Sequence, residues 1–301
     1  KFQHYIECLV ANSIRRGHTL VAIGGGILQD IATFLAATLF RGVPWSFYPT
    51  TLLAQADSCI GSKSSINVGG LKNLVGTFTP PVKVVVDTTV LQTLASRDIQ
   101  SGIGEMLKVH AIDGPAAFAR ISRDYDRARA DPGVMRGYIH RSLEIKKRLI
   151  EEDEFDQGVR RILNYGHSFG HAIESATNFA VPHGIAVTIG MDLANFVAAS
   201  LGWTTEATFA RMHPVLALNC AGFEQVDVPL DGLLLALSKD KKNTDERLIL
   251  VLPDVDGRIS LVRCPNDERF RDACAAYLER GGLAGQTSPG PAAGPCAILP
   301  V

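Results

Sequence analysis

The sequence predicts a parallel α/β domain that is followed by a mainly α-helical domain. In the first third of the chain, short apolar runs end in glycine or threonine turns that lead into helices, whereas long helical segments replace them from about residue 101. With 46% hydrophobic and 20% charged residues, the 301-residue chain can bury a sizeable core. We therefore place the domains at 1–98 and 99–280, and we expect 281–301, rich in Gly and Pro, to be a disordered tail.

The α/β pattern is built from two strand–turn–helix units and one further strand. The first unit comprises a strand at Thr19–Ile23, the glycine turn Gly24–Gly26 and a helix at Ile31–Phe40. The second has a strand at Trp45–Tyr48, a turn at Pro49–Thr51 and the start of a helix at Leu52–Asp57, and Val82–Val86 predicts a third strand. Residues 1–10 read as a helix already in progress without a capping residue, so we expect that the front of the chain is absent.

The second domain is predicted from apolar residues that recur at helical spacing. The expected helices are Gln100–Ile112, Met135–Glu152, His167–Asn178, Gly184–Leu201 and Leu233–Lys239.

Charge and composition exclude several classes of protein. The formal net charge is -1, so no general basic field is available to hold a nucleic acid or an anionic membrane. The longest apolar stretches are too short for a membrane span of about 18 residues. The six cysteines show no C-x-x-C pair or regular spacing, which favours a reducing cytoplasm over a disulfide framework.

The glycine turn Gly24–Gly26 has two interpretations. Glycines before a helix amino terminus let backbone amides approach a phosphate closely. Such turns also serve simply as tight connections in α/β proteins, so the turn alone leaves both readings open.

Three histidines indicate a metal centre. His167 and His171 lie one helical turn apart, and His183 comes just before another helix. Neutral imidazoles plus a carboxylate are the donors of a catalytic zinc site, and Glu105 is a candidate for that carboxylate. The alternatives are structural histidines and, for Glu105, a surface ion pair with Lys108.

The sequence as a whole resembles the 3-dehydroquinate synthase family, the sugar phosphate cyclases, over about 19–253. The matching blocks are GGGILQD (24–30), RG (41–42), PTTLLAQADS (49–58), KSSIN (63–67), KNLVGTF (72–78), SGIGEMLK (101–108), RRILNYGHSFGHAIE (160–174), HG (183–184) and DKK (240–242). The resemblance implies a dehydroquinate synthase-like fold, with an NAD-binding α/β domain before a helical domain that binds metal and substrate.

The activity that the resemblance implies is that of a carbon–oxygen lyase in the shikimate pathway. Such an enzyme uses NAD and zinc, with cobalt as an alternative metal, to convert a heptulosonate phosphate into a carbocycle with release of phosphate. A cytoplasmic homodimer that binds a small sugar phosphate is implied as well.

The resemblance also assigns roles by position in this sequence. The implied metal ligands are Glu105, His167 and His183. The implied catalytic and substrate-binding residues are Arg41, from a neighbouring subunit, with Asp57, Lys63, Lys108, Lys146, Arg160, Asn164, His171, Lys241 and Lys242. The implied NAD contacts are Gly24, Gly25, Gly26, Asp30, Thr50, Thr51, Lys72, Asn73 and Thr93.

Some positions depart from the family pattern. The family usually has Gly at the positions of Gln29 and Ser62, Pro at Ala95 and Glu at Ile185. Ile185 removes a carboxylate close to the third histidine, which would influence the metal or the choice of substrate.

Three alternatives to a heptulosonate cyclase remain at this stage. One is a cyclase of a carboxylate-free sugar phosphate, such as sedoheptulose 7-phosphate or glucose 6-phosphate. Another is a metal-dependent polyol dehydrogenase, and the last is a non-catalytic binding protein. Lys146 and Arg160 favour an acid substrate, because a carboxylate would supply partners for both cations.

Overall fold

A computed structural model of the chain describes residues 2–68, 71–239, 243–244, 246–284 and 299–300. The strands are β1 (Leu20–Gly24), β2 (Trp45–Pro49), β3 (Ile66–Val68), β4 (Leu71–Val75), β5 (Lys83–Val84), β6 (Arg247–Pro253), β7 (Ile259–Pro265) and β8 (Leu299–Pro300). The helices are α1 (Phe2–Ala11), α2 (Gly26–Thr38), α3 (Ser96–Asp113), α4 (Pro115–Arg123), α5 (Tyr125–Ala130), α6 (Pro132–Glu152), α7 (His167–Ala176), α8 (His183–Ser200), α9 (Glu206–Asn219), α10 (Leu230–Ser238) and α11 (Glu268–Glu279).

The first part of the chain forms the parallel sheet that the sequence predicts. Strands β1, β2 and β5 lie in this order, and both strand pairs are parallel. Helix α2 begins at Gly26, earlier than expected, because Gly25 is extended and ends the turn within two residues of β1. The segment after the second turn is a short π-helix, Ala54–Ser58.

Helix α8 is the centre of the second part of the molecule. All its residues from Gly184 to Ala199 are buried: most are apolar or small on every side of the helix, and the polar Thr188, Asp192 and Asn195 are buried with them. Helices α3, α7, α9 and α11 pack around it. A Cβ at Gly104 of α3 would lie 2.3 Å from the Gly184 carbonyl oxygen, so glycine is needed where these two helices cross.

The helical part also contains an element that the sequence did not predict. Strands β6 and β7 form an antiparallel hairpin, and β8 pairs with β7. Residues 282–284, at the start of the expected disordered tail, form a 3-10 turn whose Leu283 is buried. Residues 285–298 and 301 of that tail lie outside the described residues.

None of the helices in the described ranges combines the length and the apolar character that a membrane span requires.

Candidate active site

Three histidines meet where α7 faces the start of α8. His167 and His171 lie one turn apart on α7, and His183 is the first residue of α8. Each offers one ring nitrogen, and these three nitrogens lie within 4.8 Å of one another. The i, i+4 spacing seen in the sequence therefore does place both α7 histidines beside His183.

Glu105 approaches the same cluster from α3. Its Oε1 lies 3.6 Å from His167 Nε2 and 3.5 Å from His183 Nε2, yet it has no hydrogen-bond partner in the described structure. Its other oxygen accepts a 2.5 Å hydrogen bond from Lys108 Nζ. The Glu105–Lys108 pair therefore exists, but it is buried at the cluster rather than exposed on the surface. We call Glu105, His167, His171 and His183 the histidine side.

Burial and neighbouring charges set the protonation of these histidines differently. Burial, aided by Lys108, holds the pKa of His167 well below its usual range, so its ring is neutral and able to donate a lone pair. Burial opposes the charged form of His183 too, but the hydrogen bond with Glu174 and the charge of Glu105 outweigh it and raise its pKa.

Asp57 and two lysines form a buried charged group next to the histidine side. Lys146 Nζ lies 3.2 Å from Asp57 Oδ1, and Lys108 Nζ lies 3.7 Å from the same oxygen. Burial would raise the pKa of Asp57, but both lysines outweigh it and lower that pKa to about 2. Lys146 thus already has a carboxylate partner inside the protein, contrary to the expectation from the sequence.

Lys63 and Arg160 both contact the segment just before the 3-10 turn Val159–Asn164. Lys63 Nζ forms a 2.6 Å ion pair with Asp156, and Arg160 Nη1 donates to the carbonyl oxygen of Glu154. That carbonyl is neutral, so the contact leaves the charge of the buried guanidinium available to an anion. Asp156 was not predicted from the sequence, because it lies 93 residues after its partner Lys63 and no local pattern connects the two.

A cavity of about 580 Å³ joins the histidines to the glycine turn. Its wall includes Gly26, Ile27, Asp30, Thr51, Leu53, Ser65, Asp98, Ser101, Asn164, His167, His171 and His183. Asn164 and His171, both expected at the site, therefore lie on the same cavity as the metal candidates.

The opposite wall consists of the turn at the start of α2, and we call Gly24–Gly26, Asp30 and Thr51 the glycine side. A Cβ at Gly25 would lie 2.9 Å from Thr51 Cγ2, so this glycine is needed for the turn to pack. At Gly26 the nearest atom to such a Cβ would be 3.9 Å away, which leaves room for a ligand. Thr50 lies next to this turn, since its N–H donates a 2.9 Å hydrogen bond to the Gly24 carbonyl oxygen.

Asp30 is held within this wall by the backbone of Ser65. Its Oδ1 accepts a 2.8 Å hydrogen bond from the Ser65 N–H. Burial raises the pKa of Asp30 to about 6, although the Ser65 hydrogen bond opposes the rise.

Other expected residues are not brought to this cavity in the described structure. Arg41 and Thr93 are exposed, and Arg41 has a left-handed φ of 63°. Lys72 and Asn73 lie on β4, and the structure describes only the backbone at these two residues. Lys241 and Lys242 lie outside the described residues.

The structure gives a role to one departure from the family pattern. Gln29 is buried, and its Nε2 donates a 2.6 Å hydrogen bond to the Ser58 carbonyl. Ser58 Oγ donates in turn to Gln29 Oε1 at 2.6 Å. This reciprocal pair ties α2 to the π-helix that carries Asp57.

Comparison with known proteins decides the family. A model of the 3-dehydroquinate synthase N-terminal region matches residues 1–101, and a model of the C-terminal region matches residues 102–243. The chain belongs to the 3-dehydroquinate synthase family. It is 36% identical over 273 residues to the 3-dehydroquinate synthase of Streptococcus pyogenes serotype M5 (strain Manfredo), covering 90% of this chain and 76% of that relative.

Solved structures place this member of the 3-dehydroquinate synthase family among the sugar phosphate cyclases. The 2-epi-5-epi-valiolone synthase of Streptomyces hygroscopicus subsp. jinggangensis 5008, with NAD+ and Zn2+ bound, is 27% identical with a TM-score of 0.82, covering 93% of this chain and 79% of that one. A 2-deoxy-scyllo-inosose synthase complexed with carbaglucose-6-phosphate, NAD+ and Co2+ shares the fold at 24% identity and a TM-score of 0.78, covering 91% and 78%. The predicted fold, α/β followed by helical, is thereby confirmed.

Proposed function

We propose that this cyclase converts a heptulosonate phosphate into a carbocyclic keto acid with release of inorganic phosphate, and that it uses NAD and a zinc ion to do so. The observation that carries the proposal is the cavity that joins three histidines to a glycine turn, with Glu105 and the buried cations Lys108 and Lys146 packed next to the histidines. A substrate with both a phosphate and a carboxylate matches those cations.

The donor set on the histidine side fits a divalent metal ion. Glu105 Oε1 is a buried oxygen without a hydrogen bond among the described residues, and it faces the Nε2 atoms of His167 and His183. One carboxylate and two imidazoles are the protein ligands of many catalytic zinc sites. We assign the metal to these three residues and substrate contact to His171, whose ring nitrogen also lies within 4.8 Å of those of His167 and His183.

The glycine side fits the pyrophosphate of NAD. The amino terminus of the 13-residue helix α2 opens onto the cavity at Gly26, where backbone amides and the helix dipole favour an anion. We assign Gly24, Gly25, Gly26, Asp30, Thr50, Thr51, Lys72, Asn73 and Thr93 to the nucleotide. When bound, NAD supplies reversible oxidation of a ring hydroxyl, and the metal supplies Lewis acidity.

The residues of the chain hold the substrate and manage its protons. We assign Lys63, Lys108, Lys146 and Arg160 to the anionic groups of the substrate; the three lysines lie in ion pairs with carboxylates, whereas the Arg160 guanidinium donates to a neutral carbonyl. His171 and Asn164 line the cavity and are placed to hydrogen-bond the sugar hydroxyls. Lys108 and Lys146 are held in position by Asp57, whose carboxylate offsets part of the cost of burying two cations.

Several residues complete the proposal from outside the described cavity. Lys241 and Lys242 would add positive charge toward the substrate. Arg41 is exposed, and we assign it to the phosphate of a neighbouring subunit in a homodimer.

A substrate panel tests the proposal. Purified protein loaded with zinc and NAD is incubated with a heptulosonate phosphate, sedoheptulose 7-phosphate and glucose 6-phosphate, and released phosphate is measured. Release from the heptulosonate phosphate alone supports the proposal. Preferential release from a carboxylate-free sugar phosphate would contradict it and indicate a cyclase of that substrate instead.

A further inference from the structure

His183 lies between two carboxylates. Its Nε2 is 3.5 Å from Glu105 Oε1, and its Nδ1 is 3.3 Å from Glu174 Oε1. Because Nε2 faces the proposed metal position, Nδ1 is the nitrogen left to donate a proton to Glu174.

Glu174 is firmly held in this position. It lies on α7 seven residues after His167, on the same face of the helix, and its side chain is buried. Its carbonyl oxygen accepts a 2.7 Å hydrogen bond from the Phe179 N–H. Asn178 and Phe179 both adopt left-handed φ angles, 51° and 61°, which turn the chain back from α7 toward His183.

We propose that Glu174 is a positioning residue for the metal site. Its carboxylate accepts the Nδ1–H of His183, which fixes the tautomer and the ring orientation and directs the Nε2 lone pair toward Glu105 and His167. Carboxylates that hydrogen-bond a ligating imidazole in this way strengthen metal binding. The inference rests on the metal site of the proposed function.

Ile185 makes Glu174 more important in this chain. Two residues after His183, Ile185 is fully buried and apolar, so it offers no carboxylate to this histidine. In the described ranges, Glu105 and Glu174 are the carboxylates that pair with His183. Loss of Glu174 should therefore not be compensated by a neighbour at position 185.

A second histidine–carboxylate pair in the molecule provides a matched control, because its carboxylate lies away from the proposed metal site. Asp192 is a buried carboxylate whose Oδ1 lies 2.9 Å from His213 Nδ1, so it repeats the histidine–carboxylate contact. It lies on α8, nine residues after His183, and it does not line the cavity that holds the histidine side. If Glu174 acted only through folding, Glu174 and Asp192 variants would affect metal binding alike.

The test measures metal affinity rather than turnover. Zinc and cobalt affinities are determined by competition with a chelator for the wild type, Glu174→Ala, Glu174→Gln and Asp192→Asn, together with the visible spectrum of bound cobalt and the Tm without metal. We expect Glu174→Ala to weaken metal binding about 10–100-fold and to change the cobalt spectrum. Glu174→Gln, whose amide oxygen still accepts a hydrogen bond, should stay within about 3-fold of the wild type.

Asp192→Asn should lower the Tm and leave the metal affinity and the cobalt spectrum unchanged. Wild-type affinity in Glu174→Ala, or equal losses in the Glu174 and Asp192 variants, would overturn the inference while leaving the metal site intact. Should Glu174→Ala not fold, Glu174→Asp carries the test, since it withdraws the carboxylate by one methylene and should weaken binding about 3–10-fold. A wild type that binds no metal would overturn the proposed site and this inference with it.

Discussion

The histidine side of the cavity is built from buried side chains on three helices, whereas the glycine side is built from the backbone of one short turn. Glu105, His167 and His183 depend on how α3, α7 and α8 pack. Gly25 and Gly26 depend on the absence of side chains. Substitutions on the histidine side should therefore remove chemical groups, whereas those on the glycine side should add atoms where a ligand or a neighbour needs the space.

The largest effect is expected from removal of a histidine ligand. His167→Ala should lose stoichiometric zinc and reduce turnover more than about 100-fold, because even residues one contact away from a metal contribute 10–100-fold. Metal analysis of the purified variant checks this. His140→Ala, at a histidine whose side chain is 76% exposed on α6, is the control and should retain its metal. Full metal retention in His167→Ala would remove the ligand assignment.

Arg160 distinguishes the substrates rather than the metal. Arg160→Leu should weaken a carboxylate-bearing substrate by about 2–5 kcal/mol and spare a sugar phosphate that lacks the carboxylate. Steady-state kinetics with a heptulosonate phosphate and sedoheptulose 7-phosphate give the comparison, with Arg161→Leu as the neighbouring control. Equal losses for both substrates would mean that Arg160 serves the phosphate or the fold instead.

On the glycine side, substitutions at two adjacent residues should affect different properties: NAD binding at Gly26 and folding stability at Gly25. Gly26→Ala should weaken NAD about 10-fold with little change in stability, because its methyl would enter the cavity without meeting a protein atom closer than 3.9 Å. Gly25→Ala should instead lower the Tm, because its methyl would meet Thr51 at 2.9 Å. Calorimetric titration with NAD and thermal melts measure both effects, and reversed outcomes would refute this division.

The smallest expected effect concerns Asp30 and pH. Its folded pKa of about 6 lies above the usual 3.8, so the fold disfavours the ionised carboxylate and loses stability as the pH rises from about 4 to 6. Asp30→Asn should remove that penalty, raising the Tm at pH 8 by the order of 1–2 °C and leaving it unchanged at pH 4. Thermal melts at the two pH values decide, and an equal change at both would contradict the burial argument.

The sequence predicted the histidine side better than the rest of the site, because its signal is local. The i, i+4 spacing of His167 and His171 already places both on one face of a helix. The approach of Glu105 is different, since it depends on the close crossing of α3 and α8 at Gly104 and Gly184, which no local pattern reports. The residues alone named Glu105 as a candidate carboxylate, with a surface ion pair as the alternative, and the family resemblance then assigned it to the metal.

Residues that act through other side chains were the hardest to predict. Asp156 pairs with Lys63, and Glu174 pairs with His183. Both contacts depend on a reversal of the chain at residues with left-handed φ angles, which are Asp156 itself and Asn178–Phe179. The parallel sheet was predicted because its apolar runs and glycine turn are contiguous. The β6–β7 hairpin was missed because it follows several helices and pairs within a largely helical domain.

The redox balance of turnover tests the central claim most directly. Protein loaded with zinc and NAD is given a heptulosonate phosphate, and released phosphate and nicotinamide absorbance are followed together. A cyclase that returns the hydride within each cycle should release one phosphate per substrate consumed while NADH does not accumulate. Accumulation of NADH in proportion to the substrate consumed, without phosphate release, would contradict the account and indicate a dehydrogenase.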